Sequence, residues 1–172
     1  MAWIKTVPPA EASGELKELY ARIAGARGGV ADIHQVQSLN ARVLGAHFEH
    51  YKAVMFQSSP LSRGQREALA VVVSRANSCA YCVGHHATAL AGLPGGDTLS
   101  LDPRLAAWAE RLARTPEQSS EADIDELRAI GLDDRAILDA ILTVAYFSFV
   151  NRLVLATGLS LEAGFEATCK PE

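Results

Sequence analysis

The segment over residues 134–158 constrains the fold more than any other part of the chain. Asp133 precedes it and can cap a helix N-terminus, and Gly158 is typical of the residue that follows a helix. The apolar residues of the segment fall on nearly every side of a helix: Ile137, Leu138, Ile141, Leu142, Val144, Phe147, Val150, Leu153 and Val154. Such a helix must be covered on all sides. We therefore predict a buried apolar helix, central to the domain or shared between subunits.

The rest of the chain also has helical patterns. Residues 13–24 and 30–57 place apolar side chains at helical spacing, and the second stretch breaks near its middle. Asp102 before Pro103, and Ser120 further on, are typical helix starts. No alternation of period two and no internal repeat is found. The predicted fold class is all-α.

Length and composition favour one soluble domain over residues 1–172. The chain has 172 residues, 49% of them hydrophobic, which is enough for one ample core. Its net charge of −4 gives no basic patch for nucleic acid or a membrane surface. The N-terminus lacks the pattern of a signal peptide, and the most apolar stretch, residues 140–150, is too short to span a bilayer. We expect a cytoplasmic protein without nucleic-acid or membrane partners.

A compact group of polar side chains lies in the middle of the chain. The spacing of three and then four residues places Cys79, Cys82 and His86 on one face of a helix. Glu67 would lie roughly 18 Å from the first cysteine if a single helix joined them. Asn77–Ser78, whose side chains favour helix N-caps, can end one helix and let the next begin at Cys79. The turn would fold Glu67 back over the cysteines.

The limits of this helix pair are also marked. Ser62 and Gln65 fit the capping box that opens a helix, and Gly92, shortly before a proline, is a usual helix stop. We expect the motif to occupy residues 61–93, after N-terminal helices over residues 1–60.

The position of the cysteines suggests redox chemistry. A cysteine in the first helical turn is near the positive end of the helix dipole, which favours the thiolate. Cys79 has that position, Cys82 lies one turn further, and such a pair can close a disulfide. Glu67 is followed by the apolar run 68–73, so we expect it to be buried. Burial raises the pKa of a carboxyl group, which can then hand on protons.

Two other interpretations of these residues remain open. The two cysteines, a histidine and a glutamate could supply four zinc ligands, although structural zinc normally uses a second Cys/His pair that this sequence lacks. Glu67 could instead be a solvated charge paired with Arg63 or Arg66.

The same residues resemble the core signature of a known family. The signature consists of Glu67, Cys79, Cys82 and His86. Eleven residues separate the glutamate from the first cysteine, two separate the cysteines, and three separate the second cysteine from the histidine. This is similar to the alkylhydroperoxidase D-like (AhpD-like) group of the carboxymuconolactone decarboxylase superfamily. The resemblance is specific over residues 61–93 and looser toward the C-terminus. It implies an AhpD-like helical bundle with the Cys-x-x-Cys motif at the N-terminus of a core helix.

The resemblance implies a thiol-dependent peroxidase that reduces hydroperoxides. By carry-over from the family, Cys82 becomes the sulfenic acid, while Cys79 is the proton donor and resolving thiol. Glu67 and His86 form a proton relay, and an external dithiol protein reduces the disulfide. The helix-terminus argument favours Cys79 as the attacking thiol, so the residues alone leave the order open. The family further implies no cofactor and a homo-oligomer, either a trimer or a hexamer.

One position of the motif differs from alkylhydroperoxidase D. Tyr81 lies between the cysteines, where that protein has a histidine. A phenol titrates far above neutral pH, so Tyr81 can donate a hydrogen bond but shuttles protons poorly. A subgroup of peroxidase-related proteins shares this tyrosine, and its substrate is open. The alternatives are a carboxymuconolactone decarboxylase-type enzyme, which needs no cysteine pair, and a non-catalytic thiol redox sensor or metal-binding module.

The other histidines and the third cysteine carry no pattern that predicts a role. His85 lies off the stripe and is predicted to pack or cap elsewhere. His34, His47 and His50 are interpreted as ordinary helix-face residues. Cys169, close to the C-terminus, is predicted to be a bystander.

Overall fold

The computed structural model describes residues 2–169, and their regular structure is helical. The α-helices are α1 (Gly14–Arg27), α2 (Asp32–Gln35), α3 (Ala41–Phe56), α4 (Arg63–Ala76), α5 (Ala80–Ala91), α6 (Pro103–Arg114), α7 (Glu121–Ala129) and α8 (Asp134–Thr157). Short 3₁₀-helices occur at Pro9–Glu11, Gly96–Thr98, Pro116–Gln118 and Phe165–Thr168. The predicted all-α class is confirmed.

Helix starts follow the predicted caps. The Ser62 hydroxyl accepts from the Gln65 backbone N–H, and the Gln65 side chain accepts from the Ser62 N–H, which completes the capping box of α4. Asp102 and Asp133 cap α6 and α8 through their carboxylates. The predicted helix ends are less accurate, since α1 continues past the predicted end at residue 24 to Arg27.

The turn between α4 and α5 forms differently from the sequence prediction. Neither Asn77 nor Ser78 caps α5, because Ser78 has a left-handed φ of 58° and Cys79 is the N-cap residue. The Asn77 amide instead donates to the Asn151 side chain on α8, whose own amide donates to the Ser74 hydroxyl on α4. The Cys79 backbone N–H donates to the Ser74 carbonyl. This network fixes the turn, and with it the start of α5, against the central helix.

Helix α8 is not covered on all sides within the single chain, so of the two predicted arrangements full burial inside one domain is wrong, and burial shared between subunits stays a prediction. Its inner face is buried, but Leu138 is 50% exposed, Leu142 39% and Phe149 46%. These three residues follow at helical spacing and form one apolar stripe, which we call the outer face of α8. Helices α3, α4, α5, α6 and α7 all contact α8 within the chain.

Length and composition alone would allow α8 to cross a membrane. The apolar segment is longer than residues 140–150, because the whole helix has 24 residues and is apolar over most of them. Half of the most apolar part of α8 is buried within the protein. The buried core helix of a soluble protein has the same length and composition. The helix also carries Asp139, which is buried and bonded to Arg135 and Ser59.

The C-terminal segment after α8 returns across α5. Leu161 packs on Gly84, where an added Cβ would lie 2.9 Å from the end of the leucine side chain and would make that side chain shift. The Glu162 carboxylate accepts hydrogen bonds from the Asp32 backbone N–H and the Tyr81 hydroxyl. The segment thereby closes one side of the space in front of α5.

Candidate active site

Two cysteines occupy the start of α5. Cys79 is the N-cap residue and Cys82 lies in the first turn, with exposures of 1% and 2%. Their Cα atoms are 5.4 Å apart and their sulfurs are joined in a disulfide. The predicted Cys-x-x-Cys motif at the N-terminus of a core helix is confirmed.

Glu67 and His86 lie together beside the cysteine pair. Glu67 is fully buried on α4, and its Oε2 is 2.6 Å from Nδ1 of His86 on α5. Arg63 donates to the other carboxylate oxygen through Nε at 3.0 Å and through Nη2. The helix pair therefore folds Glu67 back over the motif, as the sequence predicted.

The ionisation of Glu67 is opposite to the sequence prediction. Burial raises the pKa of Glu67, but the charges and hydrogen bonds of His86 and Arg63 outweigh burial and lower the pKa below its ordinary value. The carboxylate is thus ionised at neutral pH and can only accept hydrogen bonds. Nδ1 of His86 must then carry the proton of that bond, so the atom that can accept or release a proton on the other side of the ring is Nε2.

A cavity of about 70 Å³ lies against the cysteine pair. Among the described residues, Cys82 and His86 contribute to its wall and Cys79 does not. Aromatic side chains form much of the remaining wall: Tyr51, Tyr81, Tyr146 and Phe147. The His86 ring packs edge-on against Phe147, with the ring centres 4.5 Å apart. Cys82 and His86 thus share one cavity whose wall is largely apolar.

His85 and Cys169 also line this cavity, contrary to the sequence predictions. Nδ1 of His85 is 3.5 Å from the Cys169 sulfur, and its Nε2 is within 3.5 Å of the Glu162 carboxylate. Cys169 is 7% exposed, and burial raises the pKa of its thiol to about 11. It is therefore a buried, protonated thiol rather than a residue of a frayed end. The fold of the C-terminal segment brings it there, and no spacing in the sequence shows this.

Tyr81 joins three parts of the chain. Its hydroxyl donates to Glu162 and accepts from the backbone N–H of Ile33 at the start of α2. Burial and the nearby Glu162 charge raise the pKa of Tyr81 far above its ordinary value. The sequence prediction of a hydrogen-bonding residue that shuttles protons poorly agrees with this position.

Two of the three N-terminal histidines are buried in the cavity wall, so their interpretation as ordinary helix-face residues was wrong. Burial lowers the pKa of His34 to about 3 and that of His47 to about 4. Both rings are therefore neutral near pH 7. Only His50 is exposed. Within residues 2–169 no group of three or more His, Cys, Asp or Glu side chains is arranged to hold a metal ion.

Comparison with known proteins agrees with this geometry. The model of the carboxymuconolactone decarboxylase family matches residues 42–93. A peroxidase-related protein from Silicibacter sp. TM1040 is 28% identical, with a TM-score of 0.80 over 95% of this chain and 94% of that chain. Residues 42–93 therefore match the carboxymuconolactone decarboxylase family, and the fold of the chain is AhpD-like.

Two further solved structures share the fold. A protein described as an alkylhydroperoxidase AhpD core from Ralstonia eutropha JMP134 is 22% identical, with a TM-score of 0.83 over 98% of this chain and 96% of that chain. A debrominase, Bmp8, solved in complex with 2,3,4-tribromopyrrole, is 18% identical, with a TM-score of 0.71 over 98% of this chain and 97% of that chain. No curated protein matches the chain. The same fold thus occurs in proteins described as peroxidase-related and in a debrominase.

Proposed function

We propose that this protein is a thiol-dependent peroxidase that reduces organic hydroperoxides through Cys79 and Cys82. The observation that carries the proposal is the position of Cys82. Its side chain lines the same cavity as His86, and His86 is held by an ionised Glu67. A sulfur, a base and an enclosed space for a small substrate therefore occur together.

The first step is attack by the Cys82 thiolate on the peroxide oxygen farther from the organic group. The O–O bond breaks, Cys82 becomes a sulfenic acid, and the alkoxide leaves. His86 takes the proton of the thiol, directly or through water, and returns it to the alkoxide, since its Nε2 is the open acceptor. The ionised Glu67 holds the ring in that tautomer and stabilises it when it is charged.

The second step closes the disulfide. The Cys79 thiol attacks the sulfenic acid of Cys82, and water is released. An external dithiol protein then reduces the disulfide by thiol exchange, so that one hydroperoxide and one dithiol yield an alcohol, water and one disulfide. Cys79 lies outside the cavity wall, which supports its assignment as the resolving thiol rather than the attacking one.

Peroxide consumption with a dithiol reductant tests this function. Reduced protein given one equivalent of tert-butyl hydroperoxide should form a Cys79–Cys82 disulfide, while Cys169 stays free, because the two motif cysteines are already in bonding geometry. Mass spectrometry of a non-reduced digest identifies the bond. A dominant cross-link through Cys169 would contradict the scheme, and oxidation without turnover under excess dithiothreitol would identify a redox sensor.

A second candidate reaction is reductive dehalogenation of a small aryl halide. The aromatic wall of the cavity favours a flat substrate next to Cys82, and one structural neighbour is a debrominase. In this reaction two thiols supply two electrons, carbon gains a hydrogen, bromide leaves with a proton, and the same disulfide forms. Bromide release from a bromopyrrole, measured beside peroxide consumption, distinguishes the two reactions.

The proposal includes a homo-oligomer and a cytoplasmic location, where a dithiol protein is available. The outer face of α8 supports assembly, because contiguous exposed apolar side chains usually mark an interface. Val43 on α3 is also half exposed and adds to the apolar surface of the protein. An isologous contact through such a face is the simplest closed arrangement, and a trimer or a hexamer is the state that the family resemblance implies.

Sedimentation at micromolar concentration tests the assembly. We expect a species several times the 18.4 kDa chain mass. Leu142→Arg should lower that mass, because it places a charge in the centre of the outer face of α8. Ala107→Glu on the exposed side of α6 is the matched control and should leave the mass unchanged. A monomer with full activity would refute the assembly.

A further inference from the structure

The turn that leads into Cys79 has a conformation that its own residues do not favour. Ser78 has a φ of 58°, a left-handed conformation that serine keeps only where surrounding contacts hold it. Asn77 and Ser78 both have side chains that favour a helix N-cap. The N-cap residue of α5 is nevertheless Cys79, whose side chain makes no capping hydrogen bond. Contacts from outside the turn must therefore stabilise this arrangement.

Asn151 on α8 supplies these contacts. Its side chain is fully buried, and its Oδ1 accepts a hydrogen bond from the Asn77 amide at 3.0 Å. Its own amide donates to the Ser74 hydroxyl at 3.1 Å. The Ser74 carbonyl accepts from the Cys79 backbone N–H at 2.8 Å. One side chain of α8 thus holds Asn77 away from the N-cap position and also contacts the residue to which the start of α5 is bonded.

The loss of these contacts would affect the two redox states of the motif differently. In the oxidised protein, the Cys79–Cys82 disulfide itself holds the turn in place. In the dithiol, hydrogen bonds alone hold the turn. Without Asn151, the dithiol would relax to the turn that the sequence favours, with Asn77 or Ser78 as the N-cap residue, whereas the disulfide would prevent this change. The hydrogen bonds of Asn151 therefore stabilise the disulfide relative to the dithiol.

We propose that Asn151 is a positioning residue that sets the reduction potential of the Cys79–Cys82 pair, by holding the turn between α4 and α5 in the conformation that closes the disulfide. This inference rests on the proposed redox function of the two cysteines and does not depend on the identity of the oxidant. Asn151 acts through Asn77 and Ser74 and takes no part in bond making. In the proposed reaction, it keeps the Cys79 thiol within reach of the Cys82 sulfenic acid.

Equilibrium with glutathione measures the potential without any peroxide turnover. The protein disulfide and two molecules of glutathione exchange with the protein dithiol and one molecule of glutathione disulfide. The protein is equilibrated at several ratios of glutathione to its disulfide, and free thiols are then blocked by alkylation. Mass spectrometry of the peptide that carries both motif cysteines gives the oxidised fraction.

Asn151→Leu is the main variant, since leucine has a similar size but makes neither hydrogen bond. We expect the equilibrium constant to shift about tenfold toward the dithiol, the effect of losing one or two buried hydrogen bonds from one state of an equilibrium. A tenfold shift raises the reduction potential by about 30 mV.

Two further variants separate positioning from a general loss of stability. Asn77→Ala breaks the same contact from the partly exposed side and should give most of the shift. The double variant Asn151→Leu/Asn77→Ala should add little, because the two residues act through one contact. Thr143→Val is the matched control, since it removes a buried hydroxyl about two turns away on α8. It should leave the equilibrium constant unchanged.

The outcomes separate this inference from the proposed function. The parent equilibrium constant in folded Asn151→Leu would overturn the role of Asn151, and Asn77→Ala decides the question in the same way if Asn151→Leu does not fold. An equal shift in Thr143→Val, or full additivity in the double variant, would also overturn it. A shift in Asn151→Leu supports the role even if the parent does not turn over peroxide. Peroxide turnover by the parent with no shift in either variant would support the peroxidase and refute this inference.

Discussion

Cys82→Ser is expected to lower peroxide turnover to the uncatalysed background, the largest effect of any single change in this chain. A serine hydroxyl is not oxidised by peroxide and does not ionise near neutral pH, so neither the sulfenic acid nor the disulfide can form. The volume of the side chain and the start of α5 are preserved. Turnover of tert-butyl hydroperoxide with excess dithiothreitol is the measurement.

Cys79→Ser distinguishes the two thiols. If Cys82 attacks, this variant should still consume one equivalent of peroxide and hold a sulfenic acid that dimedone traps at Cys82. Repeated cycles through the Cys79–Cys82 disulfide should stop, because the resolving thiol is missing. Cys169→Ser is the matched control, since this thiol lines the same cavity yet has a raised pKa. If dimedone instead traps a sulfenic acid at Cys79 in Cys82→Ser, then Cys79 is the attacking thiol and Cys82 the resolving one. The position of Cys79 at the helix N-terminus favours that order.

The fold could be predicted from the sequence where the signals are local. The Ser62 capping box, the Asp102 and Asp133 caps and the Gly158 terminator act within one helical turn, so the chain shows them directly. The approach of Glu67 to the cysteine motif could also be predicted. A continuous helix of twelve residues would hold them apart, so the helix had to break between them. Those elements of the fold are confirmed.

The features that could not be predicted depend on distant contacts. Arg63 bonds to one carboxylate oxygen of Glu67 and His86 to the other, and together they lower its pKa. The sequence does not show whether this pairing outweighs the effect of burial on the pKa. The position of Cys169 depends on the return of the C-terminal segment across α5. The burial of His34 in the cavity wall depends on contacts among several helices. The sequence could not show which face of α8 stays exposed, because apolar composition shows that a surface must be covered, and not by which chain.

The charge of Glu67 is expected to matter almost as much as the thiols. Glu67→Gln keeps the size and hydrogen-bonding reach of the side chain but removes the anion that fixes the Nδ1–H tautomer of His86. The amide can instead present its N–H to His86, so that Nε2 carries the proton and no longer accepts one from the thiol. We expect the peroxidase rate to fall by roughly 10²-fold, the usual scale for loss of a general base.

Two measurements distinguish this role from a structural one. Alkylation of the reduced protein by iodoacetamide should slow at Cys82 in Glu67→Gln, because the thiol has lost its base, while the helical circular dichroism spectrum is retained. Glu49→Gln is the matched control, since Glu49 pairs with Arg22 and Lys52 on an exposed part of α3. His86→Ala should lower the rate as Glu67→Gln does, and His85→Ala should lower it less, because His85 contacts Glu162 rather than Glu67. If Glu67→Gln keeps the parent rate and alkylation, the carboxylate serves only to neutralise Arg63 within the fold, and the proton transfer must be assigned to His86 without it.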